Sequence, residues 1–231
     1  MGDRGKKSAL FEQFALVGKA LGSGKRLELI DLLAQGERTV ESLADAADLG
    51  LSTTSAHLQT LKRAGLVITR RERTRIHYEL AGEDVAWLYS LIRVVAQAHL
   101  SEVEQARRAY LGIDEPGTAG TVDERQEMTP EDLLVCAEAG TVTVLDVRPR
   151  HEYTAGHIPG ALSIPVGELG DRLSELAPDR EIVVYCRGAY CVLAYEAVGI
   201  LRQSGLRATR LNAGMLEWRL ENLPVSSGTA A

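Results

Sequence analysis

The chain has 231 residues, 45% hydrophobic and 25% charged, with a formal net charge of −6. At about 150 residues per domain this length favours two small domains with separate cores. No apolar run approaches the roughly 18 residues that a membrane helix requires, and the start, MGDRGKKSALFEQF, has no signal-peptide core, so a soluble cytoplasmic protein with no membrane partner is expected. Three cysteines are an odd and sparse set, which argues against a disulfide framework and in favour of reactive thiols.

The first half reads as helical. Apolar periodicity predicts helices over about 9–21, 25–34, 39–48 and 52–64 and a long one over 83–110. Between the last two, 66-LVITRRERTRIHYEL-80 alternates β-branched and polar residues around a charged turn, the pattern of a β-hairpin. Residues 1–110 carry 16 Lys and Arg against 14 Asp and Glu, a balance of +2, whereas residues 111–231 carry 10 against 18, a balance of −8. Positive charge gathers at Lys62, Arg63, Arg70, Arg71, Arg73 and Arg75, opposed locally by Glu72.

On a helix at about 100° per residue, Thr54, Leu58 and Leu61 form an inner seam within about 60°. Ser52, Ala56, Gln59 and Arg63 then lie on the opposite face. Small residues permit close approach to a major groove, Ser and Gln bond base edges, and Arg bonds a base or a phosphate. Ser52 suits an N-cap and Gly65 a helix end. A helix, a turn, this helix and a basic hairpin with Arg71, Arg73 and Arg75 near its tip make a DNA-binding arrangement.

Here the segment resembles the winged helix-turn-helix of ArsR-family repressors, on Ser52, Thr53, Ser55, His57, Leu58, Leu61, Ala64, Gly65, Leu66 and Val67. The resemblance spans about 10–110. It implies double-stranded operator DNA as partner and a homodimer joined by the first and last helices, for which Leu88, Leu91, Ile92, Val95 and Ala96 supply an apolar stripe; packing within the domain accounts for them equally well. The Cys-x-Cys pair of many metal-sensing members is absent from VESLADAADLG, so no thiolate metal site is expected there, and no cofactor. His77, His99, Asp84 and Glu102 offer a harder N/O set, which solvated helix surface explains more simply.

A Gly-, Thr- and acid-rich stretch over 112–128 reads as a linker between a DNA-binding and dimerisation domain, 1–111, and a second domain, 129–226. There strands and helices alternate: strands VTVLDV (142–147), EIVVYC (181–186) and RATRLNA (207–213), and helices near 130–139, 167–176, 190–204 and 214–221. The fold class expected for the whole chain is a mainly-α winged helix-turn-helix domain followed by an α/β domain with a parallel sheet.

Cys186 ends the apolar strand and enters a bend before a helix, where unpaired amides and a helix N-terminus gather an anion. With Arg187 adjacent and Gly188 letting the loop curl, an acidic, reactive thiol is expected at Cys186. The segments DVRPRHEYTAGHIPGALSIP, YCRGAYC and NAGMLEW resemble a single-domain rhodanese. That resemblance implies a persulfide on Cys186 cradled by the amides of Arg187, Gly188, Ala189, Tyr190 and Cys191, with Asp146 and Arg148 beneath or beside it. Related phosphatases place an arginine six positions after the cysteine; Val192 stands there, which disfavours phosphate-ester chemistry. Cys191 either resolves the persulfide by forming a disulfide or points into the core; Cys136 reads as buried and inert.

Three readings follow. The first is a DNA-binding regulator, a repressor by resemblance, whose second domain senses a small sulfur donor or oxidant through Cys186. The second is a sulfurtransferase with a fused DNA-binding module, and the third is an inactive scaffold domain.

Overall fold

The computed structural model describes residues 3–112 and 127–228. The chain divides into two compact units between Arg93 and Val94, each described in turn.

In the first unit, α1 (Arg4–Leu21) begins where the Asp3 carboxylate accepts the amide of Gly5 at 2.9 Å, so it starts well before the expected residue 9. Next come α2 (Gly24–Leu33), a two-residue strand β1 (Arg38–Thr39), and α3 (Val40–Ala46), capped by the Thr39 hydroxyl on the Ser42 amide. A turn through Asp48, in the left-handed region, leads to α4 (Leu51–Arg63). Gly50, not Ser52, is the N-cap of α4, so Ser52 is released to the helix surface. Strands β2 (Val67–Glu72) and β3 (Arg75–Leu80) form the expected hairpin. Glu72 pairs with Arg75, leaving Arg73 and Thr74 as a two-residue turn with Arg73 in the left-handed region. β1 adds to β3, giving the sheet order β1-β3-β2. The core is aliphatic, with Leu29, Ile30, Leu43, Leu58 and Leu61 fully buried; Thr54 joins them by turning its hydroxyl onto the Gly50 carbonyl.

The division between the units falls inside α5 (Glu83–His99). The single helix expected over 83–110 is two: Leu100 adopts extended backbone and α6 (Ser101–Leu111) follows. Leu111 is buried in the core of the second unit, and α6 packs on that unit's long helix, α10 (Val192–Gln203).

The second unit is a four-stranded parallel sheet of order β5-β4-β6-β7, built from β4 (Val142–Asp146), β5 (Leu162–Ser163), β6 (Glu181–Tyr185) and β7 (Ala208–Arg210). The period-2 rule sorts β6 into two faces. Ile182, Val184 and Cys186 join one core with α10, and Val183 and Tyr185 join another with Leu133, Met215 and Trp218. Besides α10, the helices are α7 (Pro130–Glu138), α8 (Arg150–Ala155), α9 (Val166–Leu169) and α11 (Met215–Leu220). The helix expected over 167–176 is α9 followed by a 3-10 turn over Gly170–Glu175. β5 and α8 are too short to leave a periodic signal and were not expected.

Candidate functional site

In the first unit, α4 exposes Ser52, Thr53, Ala56, Gln59 and Arg63, with Ser55 half-buried, while Thr54, Leu58 and Leu61 face inward. The Gln59 amide nitrogen donates to the Tyr78 hydroxyl at 3.3 Å, and Arg63 folds back on the Gln59 carbonyl and the Thr60 hydroxyl. Both side chains are therefore oriented by their own unit while remaining at the surface. At the hairpin tip Arg71, Arg73 and Arg75 are exposed, and Arg71 is steadied by the Arg73 carbonyl at 3.1 Å. Arg70, part of the same charge cluster, is neutralised by Glu37 and Glu72. The dimerisation stripe expected on α5 is split: Leu88 and Ile92 pack in the first core, whereas Leu91 and Val95 are exposed beside Trp87 and Val94. On α1, Leu10, Phe11 and Phe14 are exposed as well.

In the second unit, Cys186 and Cys191 are both buried, and both are free thiols. The Cys186 thiol points back across its own loop, with Sγ 3.4 Å from the Cys191 carbonyl and 3.8 Å from that of Gly188. Cys191 is the N-cap of α10, and its amide is taken by the Gly188 carbonyl at 3.0 Å, so that N–H closes the turn instead of cradling a sulfur. The Cys186 sulfur instead meets the amides of Ala194 and Gly188, and the Cys191 sulfur those of Arg187 and Leu193.

The acidic thiol falls on the other cysteine of the pair. Burial, followed by the adjoining Cys191, pushes the Cys186 thiol well above the ordinary range, more than the two amides pull it down. The hydrogen bond from Cys186 holds Cys191 below that range, against a smaller opposing effect of burial. Acidity is thus drawn toward Cys191 rather than Cys186, chiefly by the hydrogen bond between the two thiols, with the amides of Arg187 and Leu193 adding to it.

Asp146 and Arg148 are bonded to each other. Both are fully buried, joined at 2.6 Å, with Arg148 also donating to the Gly156 carbonyl and the Tyr185 hydroxyl donating to Asp146 at 2.7 Å. Tyr185 points to the opposite face of the sheet from Cys186, so this cluster braces the strand ends from behind. Burial, then Asp146, pushes the Tyr185 hydroxyl well up, which keeps it a donor.

Three residues not singled out from sequence hold the loop. Arg187 does not face the sulfur as a free charge; its Nε lies 3.0 Å from both oxygens of the buried Glu152 and its Nη2 2.7 Å from one of them. Gly214 lets the start of α11 rest on the loop, where the amides of Met215 and Leu216 donate to the carbonyls of Cys186 and Arg187, each at 3.0 Å. Glu217 accepts the Gly214 amide at 2.9 Å and flanks Gly188. Glu152 and Glu217 lie inside the motifs HEYTAGHIPG and NAGMLEW, but a carboxylate that faces inward on a short helix has no periodic signature. Ala189 and Tyr190 are half-buried at the loop's crest. Cys136 is partly buried on α7. Among the described residues, no group of three or more His, Cys, Asp and Glu is gathered that could hold a metal ion, and no helix is long and apolar enough to cross a membrane.

Residues 23–69 match the model of the bacterial regulatory protein, arsR family, and residues 129–221 that of the rhodanese-like domain. Over 227 residues the chain is 54% identical to the HTH-type transcriptional regulator Rv0324 of Mycobacterium tuberculosis, covering 98% of this chain and 96% of that one. The chain belongs to the arsR-family transcriptional regulators that carry a rhodanese-like domain. The regulator is also 34% identical over 90 residues to a sulfurtransferase of Allochromatium vinosum, covering 38% of this chain and 82% of that one. Among solved structures it is similar to the homodimeric winged helix-turn-helix DNA-binding domain Mb0332 of Mycobacterium bovis, at 55% identity and a TM-score of 0.41, covering 44% of this chain and 94% of that one. On the two family matches and the likeness to Rv0324, the regulator has a DNA-binding winged helix in its first half and a rhodanese-like domain in its second.

Proposed function

We propose that the regulator binds operator DNA as a homodimer and changes its hold on that DNA when sulfane sulfur reaches the Cys186–Cys191 loop. The observation that carries this reading is the thiol pair itself: two buried, reduced cysteines in one six-residue loop, hydrogen-bonded to each other at the start of a helix. A single buried cysteine serves as a small hydrophobe, but two free thiols in one tight loop are arranged for exchange. The exposed apolar residues of α1 and α5 favour the dimer, since monomers rarely leave so many large side chains in water.

Chemically, the Cys191 thiolate takes the proton of Cys186. The freed Cys186 sulfur bonds to the outer sulfur of a donor R–S–SH, the bond from that sulfur to the donor's thiol breaks, and RS⁻ leaves and takes up a proton. Cys191 then attacks Sγ of the Cys186 persulfide, forming the Cys186–Cys191 disulfide and releasing HS⁻, so that two thiols are oxidised as one sulfane sulfur is reduced. Mass-spectrometric mapping after exposure to polysulfide tests this directly. The expected products are a persulfide on Cys186, then a loss of two hydrogens across Cys186 and Cys191; both cysteines unmodified would refute it.

The likeness of the second half to a sulfurtransferase supports a second reading, in which the persulfide is passed on to a thiol acceptor. Multiple turnover with a donor and an acceptor thiol, lost in Cys186→Ser, distinguishes it from single-event sensing.

A further inference from the structure

The following inference rests on the reading that sulfane sulfur converts Cys186 and Cys191 to a disulfide, and concerns how that event reaches the DNA-binding unit. We propose that the junction of α5 and α6 at Leu100 is a two-state hinge, broken while α6 rests on α10 and straightened toward one continuous helix when the disulfide shifts the first turn of α10.

The two units are joined by one peptide link, which lies inside α5 between Arg93 and Val94. Residues 113–126 lie outside that route, because both of their flanks rest on the second unit. Leu111 lies in its core, while Glu127 pairs with the buried Arg210 at 2.6 Å and the Met128 amide donates to the Arg210 carbonyl at 3.0 Å. A signal carried along the chain therefore passes from α6 through Leu100 into α5. At the sulfur end, one apolar core holds Cys186 and Cys191 together with Ala194, Tyr195 and Val198 of α10 and Leu111 of α6. Cys191 is the N-cap of α10, and its amide is tied to the Gly188 carbonyl. In a disulfide the sulfurs stand about 2.05 Å apart, well inside a hydrogen-bond contact. As a donor R–S–SH is reduced to R–SH and H₂S and the two thiols become that bond, Cys191 and the first turn of α10 are drawn toward Cys186. A close-packed core passes the displacement on to α6.

The junction is poised for such a change. Val103, Arg107 and Leu111, spaced four apart, make the inward side of α6, the first two half-buried and the third buried. Leu100 has extended backbone, φ −115° and ψ 108°, and as the N-cap of α6 gives no side-chain hydrogen bond to its amides. An oxygen-bearing side chain there would stabilise the start of α6 by about 1 kcal/mol, so the break is held without the usual cap. Leu100 is itself exposed, so the break buries nothing at that position. No Pro or Gly interrupts 94–106, VVAQAHLSEVEQA, and a continuous helix would give the amides of Ser101 and Glu102 the carbonyls of Gln97 and Ala98. The broken form thus gains the contact of α6 with α10, the straight form gains backbone hydrogen bonds, and weakening that contact shifts the balance. On the other side of the hinge, Val85, Leu88 and Ile92 root α5 in the core that holds Leu58 and Leu61 of α4, so a change at its end is felt there.

The test uses the full-length protein, reduced or oxidised to the disulfide with 2-hydroxyethyl hydropersulfide and checked by mass, on an operator duplex selected with reduced protein. In wild type, oxidation should change the affinity at least about tenfold and slow hydrogen exchange at the Ser101 and Glu102 amides at least about tenfold. Leu100→Asp, which supplies the missing cap and fixes the break, should form the disulfide at the wild-type rate yet change affinity less than about twofold, with exchange at Ser101 unmoved by oxidation. Inserting Gly-Ser-Gly-Ser after Leu100, which leaves both units their cores, should keep operator binding by the reduced protein and lose the response. Exchange that stays constant in oxidised wild type, or a Leu100→Asp or insertion variant that responds as wild type does, would overturn the hinge while leaving sulfur sensing intact. A wild-type disulfide that leaves affinity unmoved removes the sensing reading itself, and the hinge with it.

Discussion

Gly214 and Gly188 meet backbone to backbone: a Cβ on Gly214 would overlap the nitrogen and Cα of Gly188 and stand 2.5 Å from the carbonyl carbon of Arg187. Gly214 has a negative φ that any residue adopts, so its constraint is space alone. Gly214→Ala should therefore force α11 off the Cys186 loop and cost about 1–3 kcal/mol, the usual range for overpacking. Denaturant unfolding reads the loss. Faster iodoacetamide labelling of Cys186 should accompany it, since the displaced helix no longer covers the thiol pair.

The neighbouring thiols have a pH signature. Cys186 lies above the ordinary thiol range through burial and through Cys191, so its labelling should rise with pH only beyond the point where a free cysteine is already reactive. Removing Cys191 by Cys191→Ala deletes the second cause and leaves the first. The labelling midpoint of Cys186 should then move down but remain above that of a free thiol. A midpoint that stays put or rises would show that the pair is not coupled.

On the DNA side, Arg71, Arg73 and Arg75 stand clear at the hairpin tip, whereas Arg70 is bound by Glu37 and Glu72. Arg73→Ala should weaken binding evenly across sequences and reduce the slope of log affinity against log salt by about 1. Arg70→Ala should leave that slope nearly unchanged. Gln59→Ala should instead relax base preference at one position, by about 1–3 kcal/mol. Affinities measured at several salt concentrations separate the three.

The packing of α6 has its own consequence. Leu111 is buried in the second core although it lies before the expected linker. Leu111→Ala should destabilise the second unit by about 2–4 kcal/mol through the cavity it leaves. The two tryptophans report the units separately, Trp218 from the second core and Trp87 from the exposed face of α5. The Trp218 transition should shift and the Trp87 transition should not.

Much of this was legible in the residues, for identifiable reasons. Leu58 and Leu61 announce α4 by their spacing, and the alternation of β6 announces a strand with two buried faces. Elements of two residues, such as β1 and β5, have no period to detect. The break at Leu100 was hidden because the residues on both sides are good helix formers, although α6 packs on α10 beyond it. At the site, the order strand, cysteine and helix was clear from composition. Which sulfur lies at the helix N-cap depended on two residues of helix length, and the hydrogen bond from Cys186 that lowers Cys191 is chosen in three dimensions. Glu152 and Glu217 were missed because a carboxylate's partner, here Arg187 or the Gly214 amide, is chosen in three dimensions.

The central claim, that sulfur at Cys186 alters DNA binding, is tested most directly by the affinity of the full-length regulator for an operator duplex, selected with reduced protein, before and after treatment with an uncharged hydropersulfide. The account expects wild-type affinity to change at least about tenfold, to return on reduction, and to stay constant in Cys186→Ser. An affinity that does not move while mass shows Cys186 and Cys191 converted to the disulfide would contradict it.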